Sequence, residues 1–136
     1  MRFAGRRSNL HSVWDSAIAE HLIGGYTPAL ARQWAGSLLG ATQGGEYAGQ
    51  VGRWREGISL GGEEVVVGWA RESNRLVCGV VVPEGGWEGL EGRDLSGEYY
   101  EQAVGAMEMQ VARAGVRLAV WLDLVAGAAG EAVEEL

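Results

Sequence analysis

The chain has 136 residues, the length of one domain, and its 47% apolar and 21% charged residues are the balance of a globular protein rather than a disordered one. With 18 acidic residues, 11 basic ones that are all arginine and a formal charge of −7, it lacks the broad basic surface on which nonspecific nucleic-acid binding rests. No apolar stretch reaches the roughly 18 residues that a membrane-spanning helix needs, which excludes a transmembrane segment.

Arg2, Arg6 and Arg7 flank Phe3-Ala4-Gly5 at the start of the chain. No apolar run follows them, so they do not read as the basic start of a secretion signal. Leu10, Trp14, Ile18 and Leu22 recur every fourth residue and predict one buried face of a helix beginning near Asn9 or Ser12. Gly24-Gly25 ends it, because a helix terminator needs left-handed backbone. Thr27-Pro28 then supplies a cap and a first-turn proline, predicting a second helix that turns Leu30, Trp34 and Leu38 inward and ends near Gly40.

Glycine is abundant, 23 of 136 residues, against a usual ~7%. Residues 41–62 are glycine-rich and read as a loop region with one short helix around 46–54. From Glu63 to Val82, the runs Val65-Val66-Val67 and Val80-Val81-Val82 favour strand by propensity. The spacing of Val65, Trp69, Leu76-Val77 and Val80 fits a helix instead, ended by Pro83. Residues 83–94 form a second glycine-rich loop around Trp87. Last comes a seam of Tyr100, Val104, Met107, Val111, Ala114, Leu118, Trp121 and Val125, alternating steps of four and three, with Asp94 or Ser96 able to cap its start. These elements predict an all-α fold.

His11 and Asp15 are four apart on the first helix, so both side chains lie on one face and can grip one metal ion. Imidazole nitrogen and carboxylate oxygen are both zinc donors, but a catalytic zinc takes three protein ligands and only two are visible here. Taken alone, such a pair is more often a solvated or capping one. His21 lies ten residues beyond His11, roughly 80° off that face, and reads as an exposed helix residue. Cys78 is the only cysteine, and a small buried apolar side chain is its ordinary reading. A GxxxxGK[ST] phosphate loop is excluded, since the chain has no lysine. Most tryptophans fall at core spacing. Trp87, in a loop, is the one placed to stack on a base.

The string Asn9-Leu10-His11-Ser12-Val13-Trp14-Asp15 resembles the NLHxxWD motif of the zinc-dependent single-strand nucleases, the S1/P1 nuclease family. Phe3-Ala4-Gly5 resembles the family's segment leading into that motif. Trp69-Ala70-Arg71-Glu72-Ser73-Asn74 followed by Cys78 resembles its WAxExN helix and cysteine. Leu95 to Tyr100 and Gln110 to Ala119 resemble its final helix. Four blocks in order cover residues 3 to about 126.

The resemblance implies an all-α enzyme, similar to the phospholipase C/P1 nuclease-like helical fold, that carries three zinc ions. It implies hydrolysis of phosphodiester bonds in single-stranded DNA or RNA to 5′-phosphate products, with action on 3′-nucleotides, by metal-assisted in-line displacement. His11 and Asp15 then match two ligands of one zinc, Ser16 lies beside the substrate, and Cys78 is one half of a disulfide found in some members. The expected domain organisation is that residues 1–136 form the C-terminal portion of one zinc nuclease domain, truncated at the N-terminus and inactive alone. Members of the family are typically secreted or periplasmic. Two alternatives stand beside this reading: a non-catalytic helical module that binds a partner or itself through exposed apolar surface, and a zinc phospholipase C-like enzyme.

Overall fold

Asn9 starts the first helix in the computed structural model, which describes the backbone of residues 1–134 and the side chains of residues 1–128. Its backbone is extended, and its side-chain oxygen accepts the Ser12 N–H at 2.9 Å, as an N-cap does. Helix α1 (Leu10–Ser12) runs into a π-helical turn (Val13–Ala17) and then α2 (Ile18–Ile23). Within the turn, the Ile18 N–H reaches five residues back to the Val13 carbonyl. The wider turn moves the buried stripe, so Val13 and Ile18 are fully buried while Leu10, Trp14 and Leu22 are half-buried around them. The expected four-residue stripe is corrected to that extent. Gly24 closes α2 with φ 80°, the left-handed conformation expected of it.

Thr27 caps α3 (Pro28–Gln43) through its hydroxyl, which accepts the Leu30 N–H at 3.2 Å. The helix continues past Gly40. A 3-10 turn (Ala48–Gln50) leads into the short α4 (Val51–Arg55), which buries Trp54. Helix α5 (Glu63–Leu76) continues through a second π-helical turn (Val77–Val81) before Pro83, so helical spacing wins over the strand propensity of the valines. A 3-10 turn (Trp87–Leu90) follows, then α6 (Glu98–Glu134). At 1.5 Å per residue α6 is about 55 Å long.

One feature escaped the periodicity. Residues Arg2–Phe3 (β1) and Arg6–Arg7 (β2) pair antiparallel, Arg2 with Arg7 and Phe3 with Arg6. Ala4 and Gly5 both have positive φ, 49° and 76°, as a two-residue hairpin turn requires. The Asp94 carboxylate accepts the N–H groups of Ala4 at 3.0 Å and Gly5 at 2.6 Å, and also the backbone N–H and the hydroxyl of Ser96. Asp94 therefore clamps the hairpin instead of capping the long helix.

Two clusters make the core. Phe3, Val13, Ile18, Leu90, Leu95, Tyr99, Ala103 and Met107 form the larger one, and Leu38, Tyr47, Trp54 and Ala112 the smaller. Full burial of side chains such as Ile18, Leu90 and Leu95 contributes about 1.5–3 kcal/mol each. Helix α6 joins the two clusters, but not along the expected seam. Met107 is buried, whereas Val111, Leu118 and Val125 are 39%, 59% and 45% exposed. Tyr99 and Ala103 meet the larger cluster and Ala112 the smaller one.

Candidate metal centre

His11 Nε2 stands 2.8 Å from Asp15 Oδ2, and the two side chains are 84% and 61% exposed. The spacing of the sequence thus brings both donors together across the junction of α1 and the π turn. The opposite face of that helix is anchored by the buried Val13 and Ile18. Trp14, the residue before Asp15, donates its indole N–H to the Tyr99 hydroxyl at 2.7 Å. Tyr99 in turn donates to the Val81 carbonyl at 2.9 Å. One phenol therefore ties the π turn carrying Asp15 to the π turn that ends α5. π turns recur at functional sites because the wider turn re-aims side chains.

The other candidates lie apart from this pair. Ser16 is exposed, and its hydroxyl donates to the Ser12 carbonyl of its own helix at 3.2 Å. His21 packs edgewise against Tyr100, ring centroids 4.8 Å apart, and against Phe3 at 5.6 Å, so it does not join His11. Cys78 sits on the second π turn with an exposed free thiol, which corrects the expectation that it is buried. Trp87, expected in a loop, opens the 3-10 turn Trp87–Leu90 and is exposed. Among the described residues no group of three or more His, Cys, Asp or Glu side chains could hold a metal ion together. Arg2, Arg6 and Arg7 are exposed on the hairpin that leads directly into Asn9, a local positive patch on an acidic chain.

A second constellation was not foreseen. The Glu72 carboxylate on α5 accepts from Arg113 Nη1 and, at 2.8 Å, from Arg117 Nη2, both on α6. The Arg113 guanidinium lies over Trp54 at 5.2 Å and that of Arg117 over Trp69 at 4.9 Å. Burial and the neighbouring charge of Arg117 lower the pKa of Arg113, and burial lowers that of Arg117. The signal was present as two arginines four apart beside an apolar seam, with one glutamate in a tryptophan-bearing helix.

The S1/P1 Nuclease family model matches this sequence over residues 1–127, from the hairpin through most of α6. The chain belongs to the S1/P1 nuclease family. It is similar to Nuclease PA3 of Penicillium sp., with 36% identity over 127 residues that cover 92% of this chain and 46% of that protein. Nuclease S1 of Aspergillus oryzae is 35% identical over 125 residues, 91% of this chain and 43% of the relative. Nuclease P1 of Penicillium citrinum is 36% identical over 127 residues, 92% and 46%. The chain therefore spans about half the length of the curated relatives it matches. Family membership bears out the nuclease resemblance of the NLHxxWD string and the all-α expectation, and no described helix is long and apolar enough to cross a membrane.

Proposed function

We propose that this chain supplies two ligands, His11 and Asp15, to one zinc of a three-zinc nuclease that hydrolyses phosphodiester bonds of single-stranded DNA or RNA to 5′-phosphate products and acts on 3′-nucleotides. The exposed His11–Asp15 pair carries the reading, in a chain of the S1/P1 nuclease family. Its donors fit the metal: imidazole nitrogen and carboxylate oxygen bind zinc at about 2.0–2.2 Å. A pair already 2.8 Å apart meets one ion with small side-chain rotations. Bound zinc supplies Lewis acidity toward phosphate oxygens and an activated water nucleophile.

This chain's own residues do the rest. His11 offers an imidazole nitrogen as a donor, and Asp15 adds negative charge that favours the cation. Trp14 and Tyr99 fix the turn that presents them. Arg2, Arg6 and Arg7 draw a phosphate backbone toward a protein whose total charge opposes it. Ser16, freed from the Ser12 carbonyl, can turn its hydroxyl toward a substrate.

Zinc titration of the chain followed by imidazole nitrogen NMR tests the reading. His11 is expected to shift, and His11→Ala or Asp15→Ala to abolish that binding. Zinc uptake unchanged in both variants would refute the site. Two ligands hold zinc weakly, so the chain alone is expected to leave single-stranded DNA intact.

A further inference from the structure

Trp87 stands outside both core clusters and outside the metal centre. It opens the 3-10 turn before α6 and is 56% exposed. A pocket of about 950 Å³ lies between the second π turn, the loop that follows it and the first turns of α6. Trp87, Glu84, Arg93, Glu98 and Gln102 are among the side chains that line it, and such a mixture of apolar wall and a few converging polar groups suits a small ring-shaped ligand. Arg93 Nη2 lies 3.6 Å from Glu98 Oε2, both side chains being more than half exposed. Glu84 enters no ion pair among the described residues. The pocket wall also continues into the arginine hairpin. The Arg93 carbonyl accepts the Arg2 N–H at 2.7 Å, and Arg2 pairs with Arg7 in the hairpin that runs on into Asn9 and the His11 helix. Exposed Arg2, Arg6, Arg7 and Arg93 therefore border the route from His11 to the pocket.

We infer that this pocket is a subsite for one base of a single-stranded nucleic acid, stacked on Trp87, and that it selects bases carrying an exocyclic amino group. Two carboxylates against one guanidinium keep a phosphate out of the pocket and leave it to an uncharged ring. An unpaired base exposes its Watson–Crick edge. Cytosine and adenine donate an amino N–H where uracil and thymine present a carbonyl oxygen, and a carboxylate can only accept. Glu84 and Glu98 thus favour cytosine or adenine, while Arg93 and the hairpin arginines meet the flanking phosphates, which position a strand without reading it. Stacking on Trp87 supplies the affinity, since every base has a π face. The subsite rests on the nuclease reading above for its class of ligand, but it needs no metal.

The test uses the 136-residue chain in EDTA and low salt, with fluorescein-labelled oligo(dC) and oligo(dU) of about 12 nucleotides, a length within the range that single-strand sites cover. The two probes differ at each base by an amino group against a carbonyl. Oligo(dC) is expected to bind at least about fivefold more tightly by anisotropy. Trp87→Ala should weaken it at least about fivefold, and Trp87→Phe, which keeps a ring face, should weaken it less. Glu84→Gln with Glu98→Gln should erase the preference, because an amide donates to uracil as readily as it accepts from cytosine. Fluorotryptophan in the otherwise unaltered chain gives a readout that needs no folded alanine variant: the Trp87 fluorine resonance, assigned with Trp87→Phe, must shift when oligo(dC) is added. An unmoved resonance, equal binding of the two probes, or no binding of either overturns the subsite. Oligo(dC) binding that is unchanged in Trp87→Ala also overturns it while leaving the nuclease reading intact. A His11 resonance unmoved by zinc, with Trp87 still shifted by oligo(dC), overturns the metal reading and leaves the subsite standing.

Discussion

The Tyr99 hydroxyl lies 2.7 Å from the indole nitrogen of Trp14, and through that contact the start of α6 holds the turn that carries Asp15. The same oxygen donates to Val81, so a single buried phenol satisfies a donor on one π turn and an acceptor on the other. Position of the candidate metal pair therefore depends on a residue more than 80 positions away in sequence.

Tyr99→Phe keeps the ring and removes both hydrogen bonds. Leaving the Trp14 N–H and the Val81 carbonyl unpaired in a half-buried site is expected to cost about 1–3 kcal/mol, read by urea unfolding. Unchanged stability would show that water replaces the phenol.

Alkali should unfold the chain through its tyrosines. Burial raises the pKa of Tyr99, against the opposing effect of the Trp14 hydrogen bond, and burial with the hydrogen bond to Glu46 pushes Tyr47 up to about 12. A raised tyrosine pKa means stability that is whole below pH ~10 and is lost as pH climbs through the folded values. Unfolding followed by circular dichroism is expected to begin above pH ~10, and a melting temperature flat beyond that point would contradict it.

Acid acts at the other end of the scale. The Ser96 hydroxyl, then the backbone N–H of Gly5 and Ser96, hold the Asp94 carboxyl down at about 2. Its contribution is present above the unfolded carboxyl pKa of ~3.9 and is lost as pH falls toward the folded value. Amide exchange at Ala4 and Gly5 is expected to accelerate over that window before the helices melt. Protection that stays constant from neutral pH to pH ~2 would show that Asp94 does not hold the turn.

Ala4 occupies left-handed backbone at φ 49°, where a β-carbon is disfavoured. Ala4→Asn or Ala4→Gly should relieve that and stabilise the protein by about 0.5–1 kcal/mol in thermal unfolding. Destabilisation by both would mean that the hairpin turn is formed differently in solution.

Glu72 faces two guanidinium groups that are nearly out of water. Glu72→Gln leaves them without a counter-charge and is expected to cost about 2–4 kcal/mol in urea unfolding. Glu72→Asp should cost less than Glu72→Gln. An equal loss would locate the effect in packing and not in charge.

Much of this protein is written in local sequence. Asn9, Gly24, Thr27-Pro28 and Pro83 act where they stand, because caps and terminators satisfy or break backbone hydrogen bonds within a turn. The pairing of His11 with Asp15 is equally local, since a four-residue step along a helix fixes it. The hairpin was not legible, because Ala4 at a left-handed position carries no turn signal and its stabilising partner Asp94 lies 90 residues on. Nor did the α6 seam reveal which half would be covered: periodicity gives a helix an apolar face but not a neighbour to bury it. Only the tertiary structure decided that Tyr99, Ala103 and Ala112 face the core while Leu118 and Leu122 face outward, and that Trp14 is held by Tyr99. Local hydrogen bonding determined the elements, and long-range packing determined what each one meets.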